Sequence, residues 1–233
     1  MAVGLAEAGA DVVCAARSDG ASHTGLPGTV QRTADAVRAA GRRALAVGCD
    51  IGRETDLAHL VDATLQEMGG VDVLVNNAMV STRALFVEST LDQWDESMRV
   101  NVRSLFIGCQ AVLPSMRERG GGSVINISSG AADPNITGMP PGYLTYSVAK
   151  AAMERFSAAL AGELADANIA VNALRPGAVK TEQSVHELGD DWDWTGWGAP
   201  EAVVPAVVHL AAQRADGLTG RIVDATQFGT VWP

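Results

Sequence analysis

The first twenty residues, "MAVGLAEAGADVVCAARSDG" (Met1–Gly20), decide the fold. Ala2–Ala8 reads as the end of a helix, Gly9 as its C-cap and Asp11–Ala16 as a buried strand. That order is the second half of a strand–helix–strand unit. The same alternation continues along the chain. Short apolar runs, "DVVCAA" (11–16), "ALAVGCD" (44–50), "VDVLVNN" (71–77), "GSVINISS" (122–129), "IAVNALRPG" (169–177) and "GRIVDA" (220–225), are separated by helical segments. This pattern predicts an α/β fold with a parallel sheet covered on both faces.

The predicted helices are Thr29–Ala40, Glu54–Met68, a long Leu91–Arg119 stopped by Gly120–Gly122, and Ser147–Ala167. The last places Val148, Ala152, Phe156, Leu160 and Leu164 at steps of four, one apolar stripe. The least regular stretches are Ser18–Gly28, Ala131–Leu144 and Thr181–Pro200. They leave from the carboxyl ends of the strands, where ligands lie in such sheets, so they are candidate site walls.

A chain of 233 residues suits one domain, 1–233. The net charge of −10 argues against nucleic acid or an anionic membrane as partner. Cys14, Cys49 and Cys109 are scattered without metal-ligand spacing, so neither a disulfide framework nor a metal site is expected. No apolar run reaches the ~18 residues of a membrane span and no signal peptide is visible, which points to the cytoplasm.

Chemistry concentrates in "YLTYSVAK" (143–150). Tyr146 and Lys150 stand four apart at a helix start, on one face. An ammonium favours the phenolate, so Tyr146 could exchange a proton with a carbonyl or alcohol oxygen. Upstream, "INISSG" ends a strand in Ser128 and Ser129, and "VLVNNA" ends another in Asn76–Ala78. "MRVNVRSLF" places Asn101 within an otherwise apolar helix. Downstream, Arg175-Pro176-Gly177 ends a strand with a turn.

Together these residues resemble the short-chain dehydrogenase/reductase family, over residues 1 to about 225. The resemblance implies a Rossmann-type doubly wound sheet and a nicotinamide dinucleotide cofactor. It makes Tyr146 the general acid–base and gives Lys150 the nicotinamide ribose and the lowering of the Tyr146 pKa. Ser129 would hold the substrate oxygen, and Asn101 would anchor a water on a proton path from Lys150. Asp50 and Ile51 resemble the pair beside the adenine. Asn77, Ala78, Pro176, Gly177, Val179 and Thr181 would line the cofactor, Thr181 being equally readable as a helix N-cap. At the end of "VVCAARS", Arg17 and Ser18 stand where an acidic residue would bind a ribose 2′-hydroxyl. A guanidinium suits a 2′-phosphate, which favours NADP(H) over NAD(H).

The implied reaction interconverts a ketone or aldehyde and its alcohol. Two alternatives are a non-catalytic relative that has lost dinucleotide binding and a 3-oxoacyl carrier-protein reductase. The last would need a basic patch, for which Arg99, Arg103, Arg117 and Arg119 are the candidates. The long helices predict a homodimer or a tetramer of dimers. The chain also departs from the family. Met79 replaces a glycine, Ala131–Leu144 is lengthened, and Trp192, Trp194 and Trp197 occupy the substrate loop at about 181–200, as a lid or as loop packing. No Thr-Gly-x-x-x-Gly-x-Gly turn is present to hold a pyrophosphate, and the strand before it is missing from between "DVVCAA" and "VDVLVNN". The expectation is that Met1 is an internal methionine.

Overall fold

The computed structural model describes residues 1–17, 28–137 and 139–233. The chain alternates helix and strand as the apolar runs predict. In order it forms α1 (Ala2–Glu7), β1 (Val12–Ala16), α2 (Val30–Ala39), β2 (Ala44–Gly48), α3 (Glu54–Met68) and β3 (Val73–Asn76). Then come α4 (Leu91–Met98), a π-helical turn (Arg99–Arg103), α5 (Ser104–Glu118), β4 (Gly122–Ile127), α6 (Leu144–Glu163), β5 (Ile169–Arg175), α7 (Glu182–Leu188), α8 (Val204–Ala211) and β6 (Ile222–Asp224). Among the described residues no helix is long and apolar enough to cross a membrane.

All strand pairs are parallel, and they form two sheets. β3, β4, β5 and β6 pair in that order, and β1 pairs with β2. Among the described residues no ladder joins β1 to β3. The separation agrees with the sequence, which leaves no strand to lie between them. Two helical layers cover the four-stranded sheet. Ile125, Ile127, Leu174 and Val223 pack against Val207 and Leu210 of α8 on one face. Val124, Ile169 and Val171 pack against Cys109, Val112 and Met116 of α5 and Ala161 of α6 on the other. Neighbouring residues of β4 thus serve opposite cores, as the period of two requires.

Helix α1 ties the two sheets together. Met1 and Leu5 reach the core beneath α8, while Ala2 and Ala6 join the smaller core of Cys14, Val30, Ala34 and Val37 under β1 and β2. Gly4 permits this approach: a Cβ there would lie 2.2 Å from a methyl of Val204.

Three differences from the sequence reading have physical causes. The long helix expected over 91–119 runs from Leu91 to Glu118, but a π turn between α4 and α5 holds Asn101. Of the stripe Val148, Ala152, Phe156, Leu160 and Leu164, Leu164 is buried and Phe156 and Leu160 pack against the same core, while Val148 is 42% exposed, so the stripe is only part of the buried surface of α6. That surface also holds Ala149, Lys150, Met153, Glu154, Ser157 and Ala161, because the polar members find partners inside. Finally, α7 is anticipated only by the N-cap reading of Thr181, and α8 not at all. The first forms because Thr181 and Ser184 cap it reciprocally.

Candidate active site

The residues singled out by sequence gather at the carboxyl ends of the parallel strands. Arg17 follows β1, Asp50 and Ile51 follow β2, Asn77–Met79 follow β3, Ser129 follows β4, and Pro176-Gly177 follow β5. Tyr146 and Lys150 lie in the first turns of α6. Ser18 lies outside the described residues.

Lys150 is 2% exposed, and its ammonium donates to the Ile127 carbonyl at 2.6 Å. Burial pushes its pKa down to about 8, against the opposing pull of Glu154. Among the described residues, that carbonyl is the one oxygen the ammonium bonds. An ammonium has three donors, so the rest of its capacity suits vicinal hydroxyls such as those of a ribose. The ammonium lies 5.7 Å from the Tyr146 ring centroid. The Tyr146 pKa is nevertheless raised, chiefly by burial, with the Ser129 hydroxyl pulling the other way. Burial sets that direction, and Lys150 is not among the groups that move it.

The two serines separate cleanly. Ser128 is buried and donates to Glu154 at 2.7 Å. Ser129 is less buried, accepts from the Ala131 amide at 3.2 Å and lies within hydrogen-bond reach of Tyr146. Tyr143, the rival tyrosine, caps α6 and lies under the Arg83 guanidinium at 4.7 Å. Arg83 also donates to Glu187 of α7 at 2.7 Å, joining two walls of the cleft.

Asn101 is 1% exposed and its amide is committed. It accepts from the Val80 N–H at 2.9 Å and donates to the Val80 carbonyl at 2.8 Å and to Ser97 at 3.2 Å. Its side chain clamps the segment after β3. A π turn is a common device for aiming such a group. Met79, in the clamped segment, adopts an ordinary negative φ and is 38% exposed. Asn76 points inward and donates to Asn126, which donates to Ser157, linking β3, β4 and α6.

At the cofactor side, Asp50 accepts from the Gly52 N–H at 3.0 Å and faces Arg53 at 3.8 Å, which orders the turn with Ile51. Gly177 has φ +80°, and a Cβ there would press on Thr226 at 2.9 Å. Thr181 caps α7, accepting from the Ser184 N–H at 3.1 Å, so the N-cap reading holds. Val179 bridges to Gly198 and steadies the loop between. Trp194 and Trp197 meet edge-on at 5.0 Å, with Lys180 over Trp194 at 4.7 Å, while Trp192 is 45% exposed. Arg99, Arg103 and Arg119 are paired with Glu96, Glu54 and Asp72, which leaves little of the basic patch.

These groups fit the nicotinamide end of a dinucleotide: a donor-rich ammonium and a sharp turn that allows close backbone approach. Among the described residues no glycine-rich turn opens a helix for the pyrophosphate. Sequence reasoning missed Glu154, Arg175 and Asp133 as a linked set. The visible signal was a carboxylate four residues after Lys150.

The parallel α/β sheet thus carries Tyr146, Lys150 and Ser129 together at its carboxyl edge. The short chain dehydrogenase family model matches residues 1–191, and the chain belongs to that family. It is an NAD(P)-dependent oxidoreductase acting on CH–OH and C=O groups. It is 36% identical over 229 residues to dehydrogenase/reductase SDR family member 4 of Oryctolagus cuniculus, covering 94% of this chain and 84% of that one. It is also similar to L-sorbose reductase of Gluconobacter frateurii, solved with NADPH and L-sorbose, at TM-score 0.82 and 27% identity over 96% of this chain and 88% of that one. Carveol dehydrogenase of Mycobacterium avium, solved with NAD, matches at TM-score 0.82 and 25% identity over 96% and 90%.

Proposed function

We propose that the chain, as one domain, interconverts a small ketone or aldehyde and its alcohol with Tyr146 as general acid–base. The dinucleotide, when bound, supplies or accepts the hydride. In reduction Tyr146 gives its phenolic proton to the substrate oxygen as charge develops there, and Ser129 donates a hydrogen bond to the same oxygen. In oxidation the phenolate takes that proton back. Lys150 holds the nicotinamide ribose and stabilises the phenolate. Asn101 fixes the backbone of 77–80 that borders the cofactor.

The observation that carries this reading is the grouping of Tyr146, Lys150 and Ser129 at one sheet edge. Arg17 is exposed at the end of β1, which supports NADP(H) over NAD(H). The relatives solved with NAD and with NADPH leave the choice to experiment, and sorbose and carveol are too unlike to name the substrate. Phe106 on α5 is 56% exposed and Val148 on α6 is 42% exposed, apolar faces suited to pairing two copies. The buried free cysteines suit a reducing, cytoplasmic setting.

The test is Tyr146→Phe. Turnover should fall by about 10²–10⁴-fold, the range for lost acid–base catalysis, with dinucleotide affinity within a few-fold of wild type. Wild-type rates would overturn the mechanism. Absence of nicotinamide fluorescence quenching by the wild-type chain would favour the non-catalytic reading, for which the want of a phosphate turn speaks.

A further inference from the structure

Glu154 stands one helical turn after Lys150 on the buried face of α6 and is 5% exposed. Its carboxylate accepts from Ser128 Oγ at 2.7 Å and, in a fork, from Arg175 Nε and Nη2 at 2.8 and 2.9 Å. Arg175, the last residue of β5, extends Nη1 to Asp133 Oδ2 at 3.1 Å. Glu154, with the Arg175 it holds, therefore links the ends of β4 and β5 and the segment at Asp133 to α6. Ser128 precedes Ser129, Arg175 precedes Pro176-Gly177, Asp133 anchors the stretch leading to Tyr143, and Glu154 shares its helix with Tyr146 and Lys150.

Stability alone does not account for this arrangement. A buried ion pair commonly gains no more than well-packed apolar residues would. The fork geometry offsets desolvation but does not by itself justify placing a charge there. What the pair provides is a fixed negative charge one turn from a buried ammonium whose own oxygen partner, the Ile127 carbonyl, is neutral.

We propose that Glu154 is a positioning residue for the Tyr146–Lys150 pair. Clamped by Arg175 and Ser128, it locks the ends of β4 and β5 against α6 and supplies the counter-charge that keeps Lys150 an ammonium. The proposal rests on the role given to Lys150 above. Among the described residues, few charged and titratable groups lie around Lys150. Tyr146 and Glu154 come from α6, Arg175 from β5, Asp133 from the segment after β4, and Asp224 at the end of β6 acts on Arg175. Glu187 of α7 acts on Tyr146. The π turn contributes Asn101, its arginines being paired with Glu96 and Glu54.

The chain has two lysines, Lys150 and Lys180, so lysine-selective ¹³C labelling gives two signals to follow by NMR. Lys180 is exposed and serves as the internal reference. Glu154→Gln keeps the size of the side chain and removes its charge. Lys150 should then release its proton about tenfold more readily than in the wild type, with Lys180 unmoved. If Glu154 only filled space, its replacement would loosen α6 and admit water, and Lys150 would hold its proton more tightly. An unchanged or tightened Lys150 overturns the proposal.

The double variant Glu154→Gln/Arg175→Met leaves no lone guanidinium and guards against misfolding of the single one. There Lys150 should still lose its proton more readily than in the wild type, but less so than in Glu154→Gln. The titration needs neither cofactor nor turnover. Failure of the oxidoreductase reading would appear separately, as a wild-type chain that turns nothing over. Where turnover is seen, the alkaline limb of kcat should move to lower pH in Glu154→Gln with KM nearly constant. A lower kcat with an unmoved limb overturns the proposal.

Discussion

The two sheets are built to different standards. Every residue of β4 is buried, and so are six of the seven in β5. In β1 and β2 one residue of each five is buried, Cys14 and Val47. Ser129, Tyr146 and Lys150, to which we assign proton transfer, stand at the edge of the first sheet, and Arg17, Asp50 and Ile51, which we assign to the adenosine end of the cofactor, at the edge of the second. The contrast follows from pairing and side-chain volume. β4 and β5 have neighbours on both sides and large aliphatic side chains above and below. β1 and β2 pair only with each other and share a core rich in alanine, and a two-stranded ribbon is marginal without further packing. A tightly packed sheet is the better support for groups that must be held within fractions of an ångström.

Val→Ala in each sheet offers the sharpest way to break this comparison. Val124 is fully buried in β4, and its truncation should cost about 2–3 kcal/mol, from lost apolar contact plus the cavity left behind. Val13 in β1 is partly exposed, and its truncation should cost less than half as much. Urea unfolding of both variants checks this, and equal losses would mean the ribbon is as well packed as the site sheet.

A smaller effect is expected from Arg17→Ala at the end of β1. It should weaken NADPH by about tenfold or more, the worth of a charge-assisted hydrogen bond, and leave NADH nearly unchanged. Titration with both dinucleotides decides, and an equal loss for the two would remove Arg17 as the discriminator.

The smallest effect concerns the buried thiols. Burial pushes Cys109, beneath the site sheet, up to about 12 and Cys49, after β2, up to about 11 from an ordinary 9.0. In the unfolded chain the thiols ionise near their ordinary value while the native ones keep their protons. The unfolded state then binds fewer protons, so stability declines as pH rises from about 9 toward 12. Cys109→Ala should flatten that decline more than Cys14→Ala, whose thiol is raised less. Unfolding midpoints across that alkaline range measure the slopes.

Much of this molecule is determined by local sequence. The apolar runs with their flanking glycines mark all six strands, and Glu54–Met68 is helical over the very span its pattern predicts. Tyr146, Lys150 and Ser129 are recognisable because their chemistry depends on spacing along one helix and one strand end. Tertiary structure decided the rest. Nothing near Asn101 in sequence shows that its amide will grip Val80, twenty-one residues away, or that the helix will take a π turn to aim it. The apolar stripe of α6 marks only part of its buried surface, because Lys150, Glu154 and Ser157 are hidden too, and their burial depends on partners from β4 and β5. Residues 204–211 are apolar almost throughout and show no helical period, so only burial against Ile125, Ile127 and Leu174 settles them as α8. Local propensity and spacing set what each segment could become. Which polar groups could afford to leave water was decided by the distant residues that came to meet them.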